Sequence, residues 1–261
     1  MNITVTIANP AGNITAIVEG VTDRNRYQEI SSALFEMAEE KIEQVGFVRE
    51  PILGQGAISR LEMAGLEFCA NATRSFALYT AVKKGLPKGS IPVEISGMDE
   101  VLICEVDPKE MTGAVTIHSS LHIKYTFIDG VPFPAVLMDG ITHFLAFDQG
   151  PDEDLNELLI AKAKEDHNPP AVGVMYLDAL TGMMTPYVRV LATNTSYYEG
   201  SCGSGTIALA MHQAEGSPED HWSSSVLQPG GSIQAKAVKQ DEIFTVTIDG
   251  PITLKEISIQ I

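Results

Sequence analysis

The sequence is short of positive charge, of cysteine and of long apolar runs, and each shortage excludes something. Its 17 Lys and Arg stand against 34 Asp and Glu, a formal charge of −17. Nucleic acid and anionic membrane are bound by clustered Lys and Arg. Here Arg24/Arg26 and Lys83-Lys84 are isolated along the chain, so neither partner is expected. No window approaches the roughly 18 uninterrupted apolar residues of a membrane-spanning helix. The opening MNITVTIANPAGN has no charged leader and no apolar core; no signal peptide is read, and a cytoplasmic location is expected. Cys69, Cys104 and Cys202 are the only cysteines, too few for a disulfide framework. No CxxC or HExxH occurs, and the histidines are scattered. His118 and His122 sit four apart in a segment that reads as strand, so no metal site is expected.

What is present is a repeat. Glu67-Phe68-Cys69-Ala70-Asn71-Ala72-Thr73 returns half a chain later as Gly200-Ser201-Cys202-Gly203-Ser204-Gly205-Thr206. Each cysteine precedes small residues ending in Thr, and each leads into a helical stretch. Gln44-Val45-Gly46-Phe47 and Ala171-Val172-Gly173-Val174 precede the two turns; Gly89-Ser90-Ile91 and Gly231-Ser232-Ile233 follow them. Three landmarks in one order indicate a duplicated chain.

Hydrophobic periodicity gives both halves the same plan of hairpin, helix, strands, helix, strands. In the first half these are a hairpin over 2–18, a helix over 26–44, a strand at 57–63 and a helix over 72–84 ended by Gly85. Strands at 91–95, 101–106 and 114–118 close it. The second half has a hairpin over 123–138, a helix over 152–165 and strands at 172–177 and 186–192. A helix over 206–214 ended by Gly216 follows, then strands at 232–238, 243–248 and 254–260. The expected fold is an α+β pseudo-dimer. Residues 1–120 form a half carrying Cys69, and residues 121–261 form a half carrying Cys202, with the last strand free to return to the first half. A 44% hydrophobic content supplies core for both.

A cysteine at a helix N-terminus meets backbone N–H groups without intrahelical partners and the positive end of the helix dipole. Thiol pKa falls there, and a carboxylate finds donors. Two such turns facing one carbon could hold a carboxylate between them, with a sulfur on each side. One thiolate removes a proton and the opposite thiol returns one to the other face. The outcome is inversion of a stereocentre, with no cofactor required. Cys104, in the strand-like VLICEV, has no such surroundings and is read as core.

Asn9-Pro10-Ala11-Gly12-Asn13, Glu43-Gln44-Val45-Gly46-Phe47, the two cysteine turns and Gln228-Pro229-Gly230-Gly231-Ser232-Ile233 resemble the diaminopimelate epimerase-like superfamily over the full chain. These are cofactor-independent enzymes with one catalytic cysteine per half, and the histidine racemase branch is the most similar. The resemblance implies that Cys69 and Cys202 are the acid–base pair. It also implies that Asn13 and Asn71 hold the substrate, and that backbone amides of Ala70, Asn71, Gly203 and Ser204 take its carboxylate. Glu43 would meet a polar or cationic substrate group and Glu199 the amino group. The run 193–201 has no arginine, where diaminopimelate epimerases carry a Glu-Arg pair for the distal end of their substrate. Diaminopimelate is therefore disfavoured. Pro229-Gly230-Gly231 is read as a turn.

The expected function is a cofactor-independent amino-acid racemase with histidine as favoured substrate, a free amino acid as its partner, and homodimerisation left open. The alternatives are a diaminopimelate epimerase or another proton-shift isomerase on the same fold, and a non-catalytic amino-acid-binding protein.

Overall fold

Alternation of apolar and polar residues forms β1 (Asn2–Asn9) and β2 (Thr15–Val18), paired antiparallel with Ala8 opposite Thr15. The computed structural model describes residues 2–37, 41–120, 122–138, 140–191 and 195–260. The chain divides into two units, Met1–Thr116 with Asp249–Ile261, and Ile117–Ile248. Each mixes helices and strands.

In the first unit, α1 (Tyr27–Phe35) buries Tyr27, Ile30, Ser31 and Leu34. It is shorter than the helix expected over 26–44, of which residues 38–40 lie outside the described residues. Gln44, the last residue of that expected helix, instead opens strand β3 (Gln44–Arg49), parallel to β2 with Thr15 opposite Gln44. Val45, Phe47 and Val48 suit a pleated sheet, and pairing with β2 draws Gln44 into it. The Tyr27 ring stacks on Phe47 with centroids 3.6 Å apart, fixing α1 to β3. β4 (Arg60–Met63) runs antiparallel to β3, and β5 (Gly89–Ile95) parallel to β4. β6 (Leu102–Asp107) and β7 (Thr112–Ser120) extend the sheet.

Between β4 and β5 runs α2 (Ala70–Lys84), buried at every residue from Ala70 to Ala81. A helix buried all round is small and apolar on most faces, and this one packs on β5, β6 and β1. Gly85 ends it at φ 62°, the left-handed conformation in which glycine pays no Cβ penalty.

The second unit has a six-stranded sheet. Its strands are β8 (His122–Ile128), β9 (Val131–Met138), β10 (Ile141–Phe147), β11 (Ala171–Leu177), β12 (Met184–Val190) and β13 (Thr195–Tyr198). They lie in the order β13-β12-β11-β10-β9-β8. α3 (Glu153–Asp166) joins β10 to its parallel neighbour β11, and Asp152 caps α3 by accepting the Leu155 N–H at 2.9 Å. α4 (Gly203–Glu215) is buried from Gly203 to Met211. It packs on β14 (His221–Gln228) and β15 (Gly231–Gln240), with further contacts to β9 and β10. Pro229 and Gly230 turn β14 into β15, with Gln228 opposite Gly231. β16 (Ile243–Pro251) follows, and β17 (Thr253–Gln260) returns to the first unit, antiparallel to β1 along all of its length.

The result is a mixed α+β chain with four α-helices among the described residues. No helix among them is long and apolar enough to cross a membrane.

Candidate active site

Both cysteines cap helices. Cys69 is the N-cap of α2, at φ −134° and ψ 111°, and Cys202 is the N-cap of α4, at φ −125° and ψ 110°. Each sulfur accepts the N–H of the third helical residue at 3.4 Å, Ala72 at Cys69 and Gly205 at Cys202. Each carbonyl accepts the hydroxyl of the threonine four residues on, Thr73 at 2.8 Å and Thr206 at 2.7 Å. Serine or aspartate is the usual N-cap. A cysteine there binds the same orphan donor more weakly but brings an acid–base group to the positive end of the dipole.

The surroundings of the two sulfurs differ. In the first unit, the thiol of Cys69, which is partly exposed, donates to Asn13 Oδ1 at 3.5 Å. The Asn13 amide donates in turn to Glu43 Oε2 at 3.4 Å. The loop after Asn9 delivers Asn13. The parallel pairing of β2 with β3 delivers Glu43, whose backbone N–H donates to the carbonyl of Ile14 at 2.9 Å. Asn71 is fully buried and accepts from Arg74 Nε at 3.1 Å. The guanidinium of Arg74, also fully buried, further donates to the carbonyls of Pro10, Gly113 and Gly250. One cation thus ties the Asn13 loop to the start of α2. Burial lowers the Arg74 pKa to about 10, which still leaves it charged.

In the second unit, Cys202 is 5% exposed. Its sulfur lies 3.5 Å from Ser204 Oγ, and Ser204 Oγ lies 2.9 Å from Nε2 of the fully buried His143. His143 Nδ1 has no hydrogen-bond partner among the described residues. Burial lowers the ring's pKa to about 3, so it is neutral. A buried N–H without an acceptor costs more than an idle lone pair, which puts the proton on Nε2. His143 then donates to Ser204, and Ser204 donates to Cys202. Glu199, 8% exposed, lies against the same sulfur. Gln228 completes the turn: it accepts the Cys202 N–H at 2.8 Å and donates to Thr206 Oγ1 at 3.0 Å.

The sequence reading expects a lowered thiol pKa at each helix N-terminus. At Cys202 the structure gives the opposite: burial first, and the Glu199 charge second, hold the thiol well above its ordinary value, against the hydrogen bonds from Ser204 and the Gly205 N–H. Cys104 is fully buried on β6, its thiol pushed up to about 12, and it is inert core. None of the three cysteines is in a disulfide.

Among the described residues no three His, Cys, Asp or Glu side chains gather as metal ligands. Asn13, Glu43, Ala70 and Asn71 gather around Cys69. Glu199, Gly203 and Ser204 gather around Cys202. His143, Arg74 and Gln228 were not singled out from sequence. A histidine inside the apolar strand ITHFLAF was the available signal for the first, and an arginine inside a helix of small residues for the second. Gln228 opens one of the segments that carry the resemblance, but nothing in the sequence points to its place at the Cys202 turn.

Comparison with known proteins adds to this geometry. The family model described as the histidine racemase CntK N-terminal domain matches residues 2–256. A histidine racemase of Fusobacterium nucleatum subsp. nucleatum is 30% identical over 259 residues, 94% of this chain and 92% of the relative. A histidine racemase of Staphylococcus aureus strain Mu50 is 24% identical over 255 residues, 94% of this chain and 92% of the relative. Among solved structures, a probable proline racemase from Agrobacterium radiobacter K84 superposes with TM-score 0.69 at 12% identity, covering 99% of this chain and 92% of that one. A hydroxyproline epimerase from Agrobacterium vitis does so with TM-score 0.63 at 12% identity, covering 98% and 91%. At that identity the likeness is one of fold.

Proposed function

The chain belongs to the histidine racemase family, and from that premise we propose that it inverts the α-carbon of histidine with Cys69 and Cys202 as paired acid and base. It is an isomerase, an amino-acid racemase. The observation that supports the cysteine pair is the near-identity of their settings. Each is an N-cap with the same backbone conformation, the same 3.4 Å contact from the third helical N–H and the same threonine clasp. Such agreement also supports a pseudo-twofold duplication of the diaminopimelate epimerase-like kind, with one half built around α2 and the other around α4.

Inversion needs a base on one face of the α-carbon and an acid on the other. The thiolate of one cysteine takes the α-proton as the C–H bond breaks. The electron pair passes into the carboxylate, which the amides of Ala70, Asn71, Gly203 and Ser204 hold at the helix N-termini. The thiol of the other cysteine then protonates the opposite face, so the two sulfurs end with exchanged protonation states. The high pKa of the Cys202 thiol fits this scheme. Glu199 disfavours the thiolate in the empty protein; a substrate ammonium paired with Glu199 removes that penalty when the substrate is present. Asn13 and Glu43 lie on the Cys69 side, where Glu43 meets the imidazole of the substrate. A cytoplasmic, reducing setting would keep both cysteines out of a disulfide.

Chiral chromatography of L-histidine incubated with the protein tests the reading. D-Histidine should accumulate to a racemic mixture, faster than the D-isomer of any other common amino acid or the meso isomer from LL-diaminopimelate. Cys69→Ala and Cys202→Ala should each cut the rate by roughly 10²- to 10⁴-fold, and Cys104→Ala should leave it unchanged. Full activity in either of the first two variants contradicts the acid–base pair. Histidine binding without inversion in the parent would make the protein a binding protein.

A further inference from the structure

Basic side chains that stand apart in the sequence converge in the first unit. Arg24, Arg49, Arg60, Lys83 and Lys84 line one cleft of about 600 Å³ with three acids, Glu19, Glu50 and Glu62. The lining is cationic in a chain whose formal charge is −17. The lysines lie at the C-terminal end of α2, roughly 20 Å along the helix axis from Cys69. The cleft is therefore separate from the cysteine half-site and independent of the function proposed above.

Its floor has donors without acceptors. Arg60, 9% exposed, gives Nη1 to Glu94 at 3.2 Å, and its Nε lies 3.9 Å from Glu62. That Nε makes no hydrogen bond among the described residues. The hydroxyl of Thr80, on the α2 wall of the same cleft, is buried and has no partner among them either. Leaving a buried guanidinium N–H and a buried hydroxyl unpaired is costly, and an acceptor oxygen that reached either would offset that cost. Of the nearby carboxylates, Glu50 is exposed at the edge of the cleft, and the others are already engaged. Arg24 holds both oxygens of Glu62 at 2.6 Å, and the N–H groups of Ile52 and Leu53 hold those of Glu94 at 2.8 Å. Lys83 is paired with Glu19 and Glu256. Arg49 donates to the neutral carbonyl of Thr22 at 2.6 Å, and its charge also acts on Glu62, whose two oxygens Arg24 already holds.

We propose that this cleft binds a small oxyanion, the phosphate or polycarboxylate group of a metabolite, with Arg60 and Thr80 at its floor and Arg49 and Lys84 at its rim. Fixed cations with unpaired buried donors select a group carrying several acceptor oxygens.

Isothermal titration of the whole chain with sodium phosphate, and separately with citrate, tests the site, with sodium chloride at matched ionic strength as control. Saturable one-site binding of at least one anion is expected, and the better of the two identifies the source of the oxyanion. Thr80→Val should weaken that binding about tenfold, yet melt no lower than the parent, because it removes only an unpaired hydroxyl. Arg49→Gln should weaken binding and flatten its salt dependence. Both variants should racemise substrate at the parental rate. No saturable binding of either anion, or unchanged affinity in a folded Thr80→Val, overturns the proposal.

Discussion

His143 is a titratable side chain held without charge inside a strand, and its cost is measurable. Its pKa falls from the ordinary 6.5 to about 3 because it is buried. Below pH 6.5 the unfolded chain takes up a proton that the folded chain refuses. The contribution is therefore complete above pH 6.5 and is lost as the pH drops from there toward 3, by about 1.4 kcal/mol per pH unit. Urea unfolding at a series of pH values should show that slope in the parent and a shallower one in His143→Gln; equal slopes would mean that His143 is protonated in the folded protein. The same residue explains a feature of the sequence repeat. Gly173, opposite His143 in the parallel register of β10 and β11, has no room for a Cβ against the His143 Nδ1 and Cε1 atoms. The second landmark glycine is thus a space left for an imidazole. The first, Gly46, leaves space for Leu61 instead.

The two cysteine helices are alike in their caps and unlike in what lies beneath them. The third helical residue is Ala72 in α2 and Gly205 in α4. A Cβ on Gly205 would meet the sulfur of Met175 on β11. Gly205→Ala should therefore cost about 1–3 kcal/mol through overpacking, although alanine is the better helix former. Denaturant unfolding checks this, and a stabilised Gly205→Ala would show that the Met175 side chain gives way freely. Elements with strict period and clean punctuation were legible in the sequence: β1, the hairpin that follows it, α3 with its Asp152 cap, and α2 up to Gly85. Those governed by tertiary pairing were not. The helical spacing read up to residue 44 ran past the end of α1 to the first residue of β3, and β14, HWSSSVLQ, hides a strand behind three serines. The cysteine turns, with Asn13, Glu43 and Glu199, could be named as candidates from the chain. The His143–Ser204 link and the Arg74 brace could not, because both join segments far apart in sequence through buried side chains.

For the whole molecule, the proposed duplication would have a chemical reason. A stereocentre has two faces, and the proposed reaction needs a sulfur for each. The two thiols sit in different electrostatic settings, Cys202 against Glu199 and Cys69 against the Asn13 carbonyl. Different settings are compatible with equal catalysis in both directions, because the protonation states exchange at each turnover. The central claim is that two bases act, one on each face. The direct measurement is deuterium at the α-carbon when L-histidine is racemised in deuterated water and stopped early. The two-base account predicts deuterium in nearly all of the D-histidine formed, and protium retained in the L-histidine recovered. Deuterium entering the recovered L-histidine as fast as D-histidine forms would point to a single base serving both faces and contradict it.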